Sequence, residues 1–296
     1  MAVKIVQLTV DGQTYDIPLS DGVYTKQITA PSKSSYGQPD HVYAMALKVE
    51  DTAGNVTTVD KNHATFGAAM KLRVKEKVAP VISISKPGAG AYLTNQSVAI
   101  EFTVTDNDSG VNPDSIKLQI DSAAAVSPTR TAVTGGYKCT YTTTLSDGKH
   151  TIKVNASDYD GNAATQALSS FTVDTVPPSL NITAPPVSLI TNKQSCTVSG
   201  DTNDATSGPV TVKITLNGTD QGAVTVNSSG AFSKALTLAK GTNTIVVRAT
   251  DKAGKYSEVS RTVVYDPDAP VIVKVEVQPN PVGAGEIFTV TVEATD

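Results

Sequence analysis

A proline-centred junction occurs three times in the sequence and constrains the fold more than any other feature. Its copies are LRVKEKVAPVISI (72–84), FTVDTVPPSLNI (171–182) and TVVYDPDAPVIVKV (262–275). Each copy is typical of a strand end, a proline hinge and a new strand. The hinge prolines are Pro80, Pro178 and Pro270, which are 98 and then 92 residues apart. Repeats of this length favour a seven-strand sandwich over a short solenoid repeat.

A second motif has the same period. DTAGN (51–55), DYDGN (158–162) and DKAGK (251–255) follow the alternating segments HVYAMALKVE, KHTIKVNAS and NTIVVRAT. The aspartate can cap backbone N–H groups, and the glycine can take the positive φ that a tight turn needs. The motif therefore predicts a hairpin turn at the same place in each repeat.

Hydrophobic alternation has period two along the chain, and no useful stretch has the helical period of 3.6. Short alternating strands with frequent turn signals predict an all-β chain of antiparallel two-sheet sandwiches. In the first complete repeat the predicted strands lie near 80–86, 97–105, 115–121, 137–144, 149–157 and 166–173. In the second they lie near 179–184, 195–200, 210–217, 222–227, 231–239, 243–250 and 257–265.

The two ends of the sequence resemble opposite halves of a repeat. VKIVQLTVDGQTYDI (3–17) resembles VKITLNGTDQGAVTV (212–226), and GVYTKQITA (22–30) resembles GAFSKALTL (230–238). VIVKVEVQPNP (271–281) and EIFTVTVEATD (286–296) resemble the first two strands, A and B. We therefore predict a partial module at 1–77 (strands C to G), complete modules at 78–174 and 175–266, and a partial module at 267–296 (strands A and B).

Two interpretations of these ends remain open. In one, the A–B pair of one copy completes residues 1–77 of a neighbouring copy, a head-to-tail contact that generates a ring or a filament. In the other, residues 1–77 form a shortened but self-sufficient sandwich and the last residues pack nowhere. The first interpretation predicts these interface residues: Val271, Val273, Val275, Phe288, Val290 and Val292.

Bulk composition argues against several function classes. The formal net charge of −4 does not favour a nucleic-acid partner, and the absence of tryptophan argues against a large aromatic cofactor pocket. The sequence has neither an apolar leader segment in MAVKIVQLTVDGQ nor a run of about 18 apolar residues, so we expect neither Sec export nor membrane insertion. Cys139 and Cys196 fall in different predicted modules and are expected to be free thiols.

Clustered aspartates are the candidate metal ligands. The loops after strands B and F, together with the incoming linker, lie at one end of a sandwich of this kind. Short carboxylates gathered there suit Ca²⁺, which takes six to eight oxygen ligands, and such an ion would stiffen the joint between modules. The alternative is that the aspartates only cap turns. The candidates are Asp106, Asp108, Asp158 and Asp160 in one module and Asp174, Asp201, Asp204 and Asp251 in the next.

No catalytic signature accompanies the three histidines, His41, His63 and His150, and we expect no enzyme. His150 is expected to open a strand and to be half exposed. Exposed tyrosines are the remaining candidates for ligand contacts, because sugars stack on aromatic rings; the alternative is that these rings line the rim of the core. The candidates are Tyr92, Tyr137, Tyr141, Tyr159 and Tyr256.

The repeated linkers and turns resemble bacterial and phage immunoglobulin-like modules. The segments that carry the resemblance are VAPVISI, VPPSLNI, DAPVIVKV, TDNDSGVNPDSIKLQID and ASDYDGN. The core tryptophan and paired cysteines of antibody domains are missing. The resemblance implies an elongated array of tandem immunoglobulin-like sandwiches. In this organisation the sequence resembles virion or tail-associated proteins of phages of Gram-positive bacteria.

That resemblance implies a structural and display role in a phage virion or tail-like particle, assembled in the host cytoplasm. The expected partners are other copies of the chain or other virion proteins, with weak adhesion to a host-surface glycan. Two alternatives remain: an extracellular cell-surface adhesin or spacer that binds glycan or protein, and an accessory domain of a carbohydrate-active enzyme.

Overall fold

The computed structural model describes residues 2–296. They form two compact units, one ending at Val173 and the other spanning Asp174–Asp296. Strands dominate both units; the helical elements among the described residues are two short 3₁₀ turns, Pro39–His41 and Pro113–Ser115. No helix in this range is long and apolar enough to span a membrane. The prediction of an all-β chain of tandem antiparallel sandwiches is confirmed.

The N-terminal region forms one main sheet. Its strands are β1 (Val3–Val10), β2 (Gln13–Asp16), β3 (Leu19–Ser20), β4 (Val23–Tyr24), β5 (Tyr43–Asp51), β6 (Val56–Val59) and β7 (Lys71–Leu72). The sheet order is β2-β1-β5-β6, β7 pairs with the start of β5, and β3 and β4 form a separate hairpin. Asp11 and Gly12 both have positive φ, which produces the two-residue turn between β1 and β2.

The N-terminal sheet is apolar on one face and polar on the other. Cross-strand partners share a face, and the apolar pairs are Val6↔Val49, Leu8↔Leu47 and Val10↔Met45. On the opposite face, Gln7 donates to Asp16 at 2.8 Å and the hydroxyls of Thr9 and Thr14 are 2.9 Å apart. This pattern is typical of a sheet that packs against a second layer on one side.

The second module has the two sheets that a sandwich requires. Its strands are β8 (Val81–Lys86), β9 (Tyr92–Leu93), β10 (Ser97–Thr105), β11 (Lys117–Ile120), β12 (Thr129–Val133), β13 (Gly136–Thr144), β14 (Gly148–Asn155) and β15 (Ala167–Val173). The sheet orders are β12-β13-β10-β8 and β11-β14-β15-β9. Alternate side chains of β10 enter the core between the sheets, and none of these is more than 1% exposed: Val98, Ile100, Phe102 and Val104.

The third module repeats this plan. Its strands are β16 (Ser179–Ala184), β17 (Leu189–Thr191), β18 (Ser195–Asn203), β19 (Thr211–Leu216), β20 (Thr219–Asp220), β21 (Ala231–Thr237), β22 (Gly241–Thr250) and β23 (Tyr256–Tyr265). The sheet orders are β16-β18-β21 and β17-β23-β22-β19-β20. The predicted strand at 222–227 is wrong, since only Val224 and Val226 make isolated bridges there.

The two complete modules fill the same core position in different ways. In the second module Phe102 on β10 lies opposite Cys139 on β13. In the third, Gly200 on β18 lies opposite Phe232 on β21. A Cβ at Gly200 would lie 2.2 Å from the Asn181 carbonyl oxygen and 2.9 Å from the Phe232 ring. Each core therefore pairs one large side chain with one small one.

A two-stranded hairpin, β24 (Val271–Gln278) and β25 (Thr289–Thr295), ends the described chain. It pairs in the antiparallel manner of β8 with β10 and of β16 with β18. Every residue of 267–296 is exposed. The predicted module boundaries at 77, 174 and 266 stay predictions.

The side chains of His150, Cys139 and Cys196 are all buried. His150 is 8% exposed, contrary to the expectation of half exposure, because Nδ1 lies 2.8 Å from Asp121 Oδ2 and Nε2 lies 2.8 Å from the Ser146 carbonyl oxygen. Cys139 and Cys196 are buried free thiols, and burial raises the pKa of Cys139 to about 11. Neither cysteine is therefore an activated nucleophile.

Truncating the core should cost far more than truncating the surface of the same sandwich. We expect Phe102→Ala to lower the free energy of unfolding of the second module by about 3–5 kcal/mol, because it leaves a cavity between the sheets. The matched change Val133→Ala, at a 42% exposed position, should cost within about 0.5 kcal/mol. Urea unfolding followed by circular dichroism measures both; equal losses would contradict this core assignment.

The His150–Asp121 pair predicts a pH window for stability. Burial opposes the imidazolium, but the hydrogen bonds from Asp121 and the Ser146 carbonyl outweigh it, so the pKa of His150 is raised from 6.5. Its contribution is present below pH 6.5 and is lost as pH rises through the folded pKa. The pKa of Asp121 is lowered from 3.8 despite burial, by hydrogen bonds from His150 and the Thr151 amide, so its contribution is lost in acid.

We therefore expect the second module to melt at a higher temperature at pH 6 than at pH 9. His150→Gln should flatten that dependence, because it removes the titrating imidazole. Thermal melts at the two pH values test this, with His63→Gln as the control at a half-buried histidine outside this pair. An undiminished pH dependence in His150→Gln would refute the assignment.

Candidate functional sites: an open sheet and two acidic clusters

Strand β21 of the third module shows what the corresponding segment at the N-terminus lacks. β21 pairs with β18 from Asp201↔Ala231 to Ser195↔Thr237. This pairing buries the inward side chains of β21, so that Phe232 is 4% and Leu236 is 3% exposed. The strand-B partner therefore supplies both the hydrogen-bond ladder and the cover for this strand.

The open segment, residues 22–30, is the sequence equivalent of β21 and has no such partner. Only Val23 and Tyr24 are in a strand, and they pair back with Leu19 and Ser20; residues 25–30 form none. Tyr24, at the position of Phe232, is 38% exposed, and Leu19 and Val23 are 59% and 60% exposed. Two apolar core clusters lie among residues 2–296, and the N-terminal sheet contributes to neither.

The C-terminal hairpin presents the complementary surface. Its cross-strand pairs Ile272↔Ala294, Val275↔Val292 and Val277↔Val290 share one face. Their apolar side chains remain open to solvent: Ile272, Val275 and Val277 are 63%, 57% and 36% exposed, and Val290 and Val292 are 51% and 54% exposed. A hairpin with such a face needs another sheet to cover it.

A β-bulge changes which of the predicted interface residues act together. The register shifts between Ile272 and Lys274, which places Val273 in the bulge. Val271 pairs with Thr295 and so lies on the face opposite Val275, Val290 and Val292. Phe288 lies just before β25 and keeps the parity of Val290. Ile272 joins the apolar face, and strict alternation from Val271 could not reveal it.

The first acidic cluster consists of Glu76, Asp106 and Asp158, which each offer one oxygen within 4.8 Å of the others. Asp106 Oδ1 accepts the amides of Asp108 and Gly110 at 3.0 and 2.8 Å. The Asp158 carboxylate is occupied at both oxygens: Asn162 donates its amide N–H to Oδ1 at 2.8 Å and its side-chain Nδ2 to Oδ2 at 2.7 Å. Sequence reasoning missed Glu76, although Glu76-Lys-Val-Ala-Pro80 aligns with Asp174-Thr-Val-Pro-Pro178.

Asp108 and Asp160 take another role, because they hold the N-terminal region against the second module. Asp108 Oδ1 accepts the Ser34 amide at 2.9 Å, and Asp160 Oδ2 accepts the Glu76 amide at 3.0 Å. Beside them Tyr36 stacks on Tyr159 with ring centroids 4.1 Å apart. These two aspartates therefore contribute to an intramolecular contact between the N-terminal region and the second module.

The second acidic cluster consists of Asp174, Asp204 and Asp251, again with one oxygen each within 4.8 Å of the others. Asp174 comes from the linker, Asp204 follows β18 and Asp251 follows β22. The fourth predicted ligand of this module, Asp201, lies elsewhere: it is an exposed residue of β18 whose Oδ2 accepts Asn181 Nδ2 at 2.9 Å.

The tyrosines divide into rim and surface positions. Tyr137 and Tyr141 are partly buried against the core of the second module. Tyr92 and Tyr159 are 36% and 39% exposed. Tyr256 is 52% exposed, and the Arg248 guanidinium lies 4.2 Å from its ring centroid. Tyr256 is thus the most accessible of the predicted sugar contacts, with one ring face covered by a cation.

Two family models match parts of the chain. Residues 80–154 match the bacterial Ig domain, and residues 178–266 match domain B of glucodextranase. Combined with the two-sheet topology, this decides the fold of the repeats. The second and third modules are immunoglobulin-like. Such modules are typical of structural and adhesion proteins. No curated protein sequence matches the chain.

The solved structures that match the chain share little sequence with it. The fibronectin(III)-like modules of Clostridium thermocellum CbhA are 15% identical, with 63% of this chain and 94% of that chain covered and a TM-score of 0.38. Sidekick-1 immunoglobulin domains 1–5 are 12% identical, with 99% and 60% covered and a TM-score of 0.40. Protocadherin gammaB7 EC3-6 is 13% identical, with 99% and 78% covered and a TM-score of 0.32.

The first acidic cluster should act as a structural cap. We expect Asp106→Ala to lower the free energy of unfolding of the second module by about 1–3 kcal/mol, because two loop amides lose their acceptor. Asp114→Ala, at a side chain that is 89% exposed, is the matched control and should cost within about 0.5 kcal/mol. Urea unfolding measures both, and a neutral Asp106→Ala would contradict the capping role.

Proposed function

We propose that the chain is a non-enzymatic structural and display protein whose copies join head to tail through strand complementation. Two complementary features support this proposal. The open segment lacks a strand-B partner, and a hairpin of the A–B type has its apolar face in solvent. In this proposal the C-terminal hairpin of a second copy pairs with the open segment.

The third module supplies the register for this contact. Asp296 aligns with Asp106 and Asp204, so β25 aligns with β10 and β18. Placed as β18 is placed, β25 sets Phe288 opposite Ile28, where Cys196 lies opposite Leu236. Val292 then lies opposite Tyr24, at the position where Gly200 meets Phe232. Both of these contacts join two apolar side chains, whereas Val290, aligned with Val198, lies opposite Lys26, aligned with Lys234.

Burial of apolar side chains would favour this association between copies. Fully burying a Val, Ile or Phe side chain contributes roughly 1.5–3 kcal/mol, and the hairpin offers several of these. Strand addition also supplies main-chain partners to residues 25–30. Because the donor and acceptor surfaces differ, the contact is heterologous and produces a ring or a filament. An assembling display protein of this type fits a phage virion or tail-like particle, formed in the host cytoplasm.

One substitution on each face of β25 tests the assembly. We expect Val292→Lys to abolish oligomers of the 296-residue chain, because it places a charge on the face that would be buried. Thr291→Lys adds the same charge on the opposite face and should leave them intact. Light scattering coupled to size-exclusion chromatography gives the mass. Deleting 267–296 should have the effect of Val292→Lys.

Two outcomes would sink the proposal. One is a wild-type chain that stays monomeric at high concentration with fast hydrogen exchange in 271–295. The other is a monomer in which those amides are protected, because the hairpin would then complete its own chain. The virion assignment is tested separately, by mass spectrometry of purified particles from a strain that carries the gene; absence of the chain from them would refute it.

A second candidate is adhesion to a surface glycan, outside the cell. It is favoured by the exposed Tyr256 ring, with Arg248 at 4.2 Å from its centroid, and by the match of residues 178–266 to a domain of glucodextranase. A glycan array with the wild-type chain and Tyr256→Ala tests it. Binding that Tyr256→Ala abolishes and Tyr92→Ala retains would favour adhesion through this ring.

A further inference from the structure

The second acidic cluster has a feature that turn capping does not explain. Asp174 is fully buried and Asp251 is 7% exposed, yet Oδ2 of each has no hydrogen-bond partner. Burying a carboxylate oxygen without a partner is costly, and such an atom in a folded protein calls for a ligand or a counter-charge. No salt bridge within residues 2–296 involves Asp174, Asp204 or Asp251.

Backbone amides occupy Oδ1 of each of the three carboxylates, and Oδ2 of Asp174 and of Asp251 is left without a partner. Asp174 Oδ1 accepts the Val176 amide at 3.1 Å, and Asp251 Oδ1 accepts the Lys255 amide at 2.9 Å. Asp204 Oδ1 accepts the amides of Thr206 and Ser207 at 2.8 and 2.6 Å. These bonds orient the three carboxylates, so the positions of the free oxygens are fixed before any ion arrives.

The second module serves as an internal comparison. There Asn162 occupies the last position of the turn and donates its side-chain amide to Asp158 Oδ2 at 2.7 Å. In the third module the same position is Lys255, and the equivalent oxygen of Asp251 has no partner. The first cluster is thus completed by the protein at Asp158, whereas the second leaves that place open.

From these observations we infer that Asp174, Asp204 and Asp251 form a Ca²⁺ site. Oxygens bound to one Ca²⁺ at about 2.4 Å lie at most about 4.8 Å apart, and the three carboxylates meet that limit. Their oxygens are hard ligands with no imidazole or thiolate among them, which favours Ca²⁺ over Zn²⁺. The site ties the linker residue Asp174 to the loops that follow β18 and β22, and it goes beyond the proposed assembly.

Calorimetric titration of the calcium-free, 296-residue chain with CaCl₂ tests the inference. Asp204→Asn is the informative variant, because Asn keeps Oδ1 for the Thr206 and Ser207 amides while removing the charge. We expect it to weaken Ca²⁺ binding at this site at least tenfold, or to reduce the number of bound ions by one. Asp201→Asn removes the same charge from β18 outside the cluster and should bind as the wild type does.

Two further measurements sharpen the result. MgCl₂ should bind more weakly than CaCl₂, because Mg²⁺ gives up its water reluctantly and demands a stricter geometry. Circular dichroism of each variant establishes that it is folded. The inference is overturned if the wild-type chain binds no Ca²⁺ at millimolar concentration. It is equally overturned if Asp201→Asn and Asp204→Asn weaken binding by the same factor.

Discussion

A β-sheet with one apolar face must place that face against another sheet, and this constraint organises the whole molecule. In the second and third modules the condition is met within the module, as the fully buried Phe102 and Ile214 show. The N-terminal sheet has the same division into an apolar and a polar face, but the open segment next to it forms no strand with a B partner. The C-terminal hairpin has an apolar face and no cover at all.

Strong alternation made much of the fold predictable. Strand β10 was predicted at 97–105 and found at Ser97–Thr105, because every second residue enters the core. Strand β12 was missed since Thr129–Val133 is exposed throughout, so that no apolar face marks it. The segment 222–227 shows the converse error: its alternation is good, but only two isolated bridges form there. Alternation of apolar residues indicates which residues are buried. It does not predict strands correctly where a paired strand is exposed or where a segment with alternating residues is not paired.

The candidate sites were predictable in place but not in detail. Sequence position brought Asp106 and Asp158 to one end of the module, as the loops after strands B and F require. It could not separate Asp108 and Asp160, which contact the N-terminal region, from the cluster itself. Nor could it show that Asn162 fills a place that Lys255 leaves open, since that depends on where two side chains point. The bulge at Val273 was likewise invisible to a count of alternate residues.

The opposed sizes of core side chains have a consequence for a chain of similar repeats. Neighbouring repeats can trade equivalent strands while they fold, and the products are trapped misassemblies. If β10 took the place of β18, Phe102 would confront Phe232 where only the hydrogen of Gly200 now fits. The reverse trade would leave a void beside Cys139. The difference in side-chain size therefore disfavours replacement of β18 by β10 or of β10 by β18. Val292, which is intermediate in size between Gly200 and Phe102, would not clash with Tyr24 in this way.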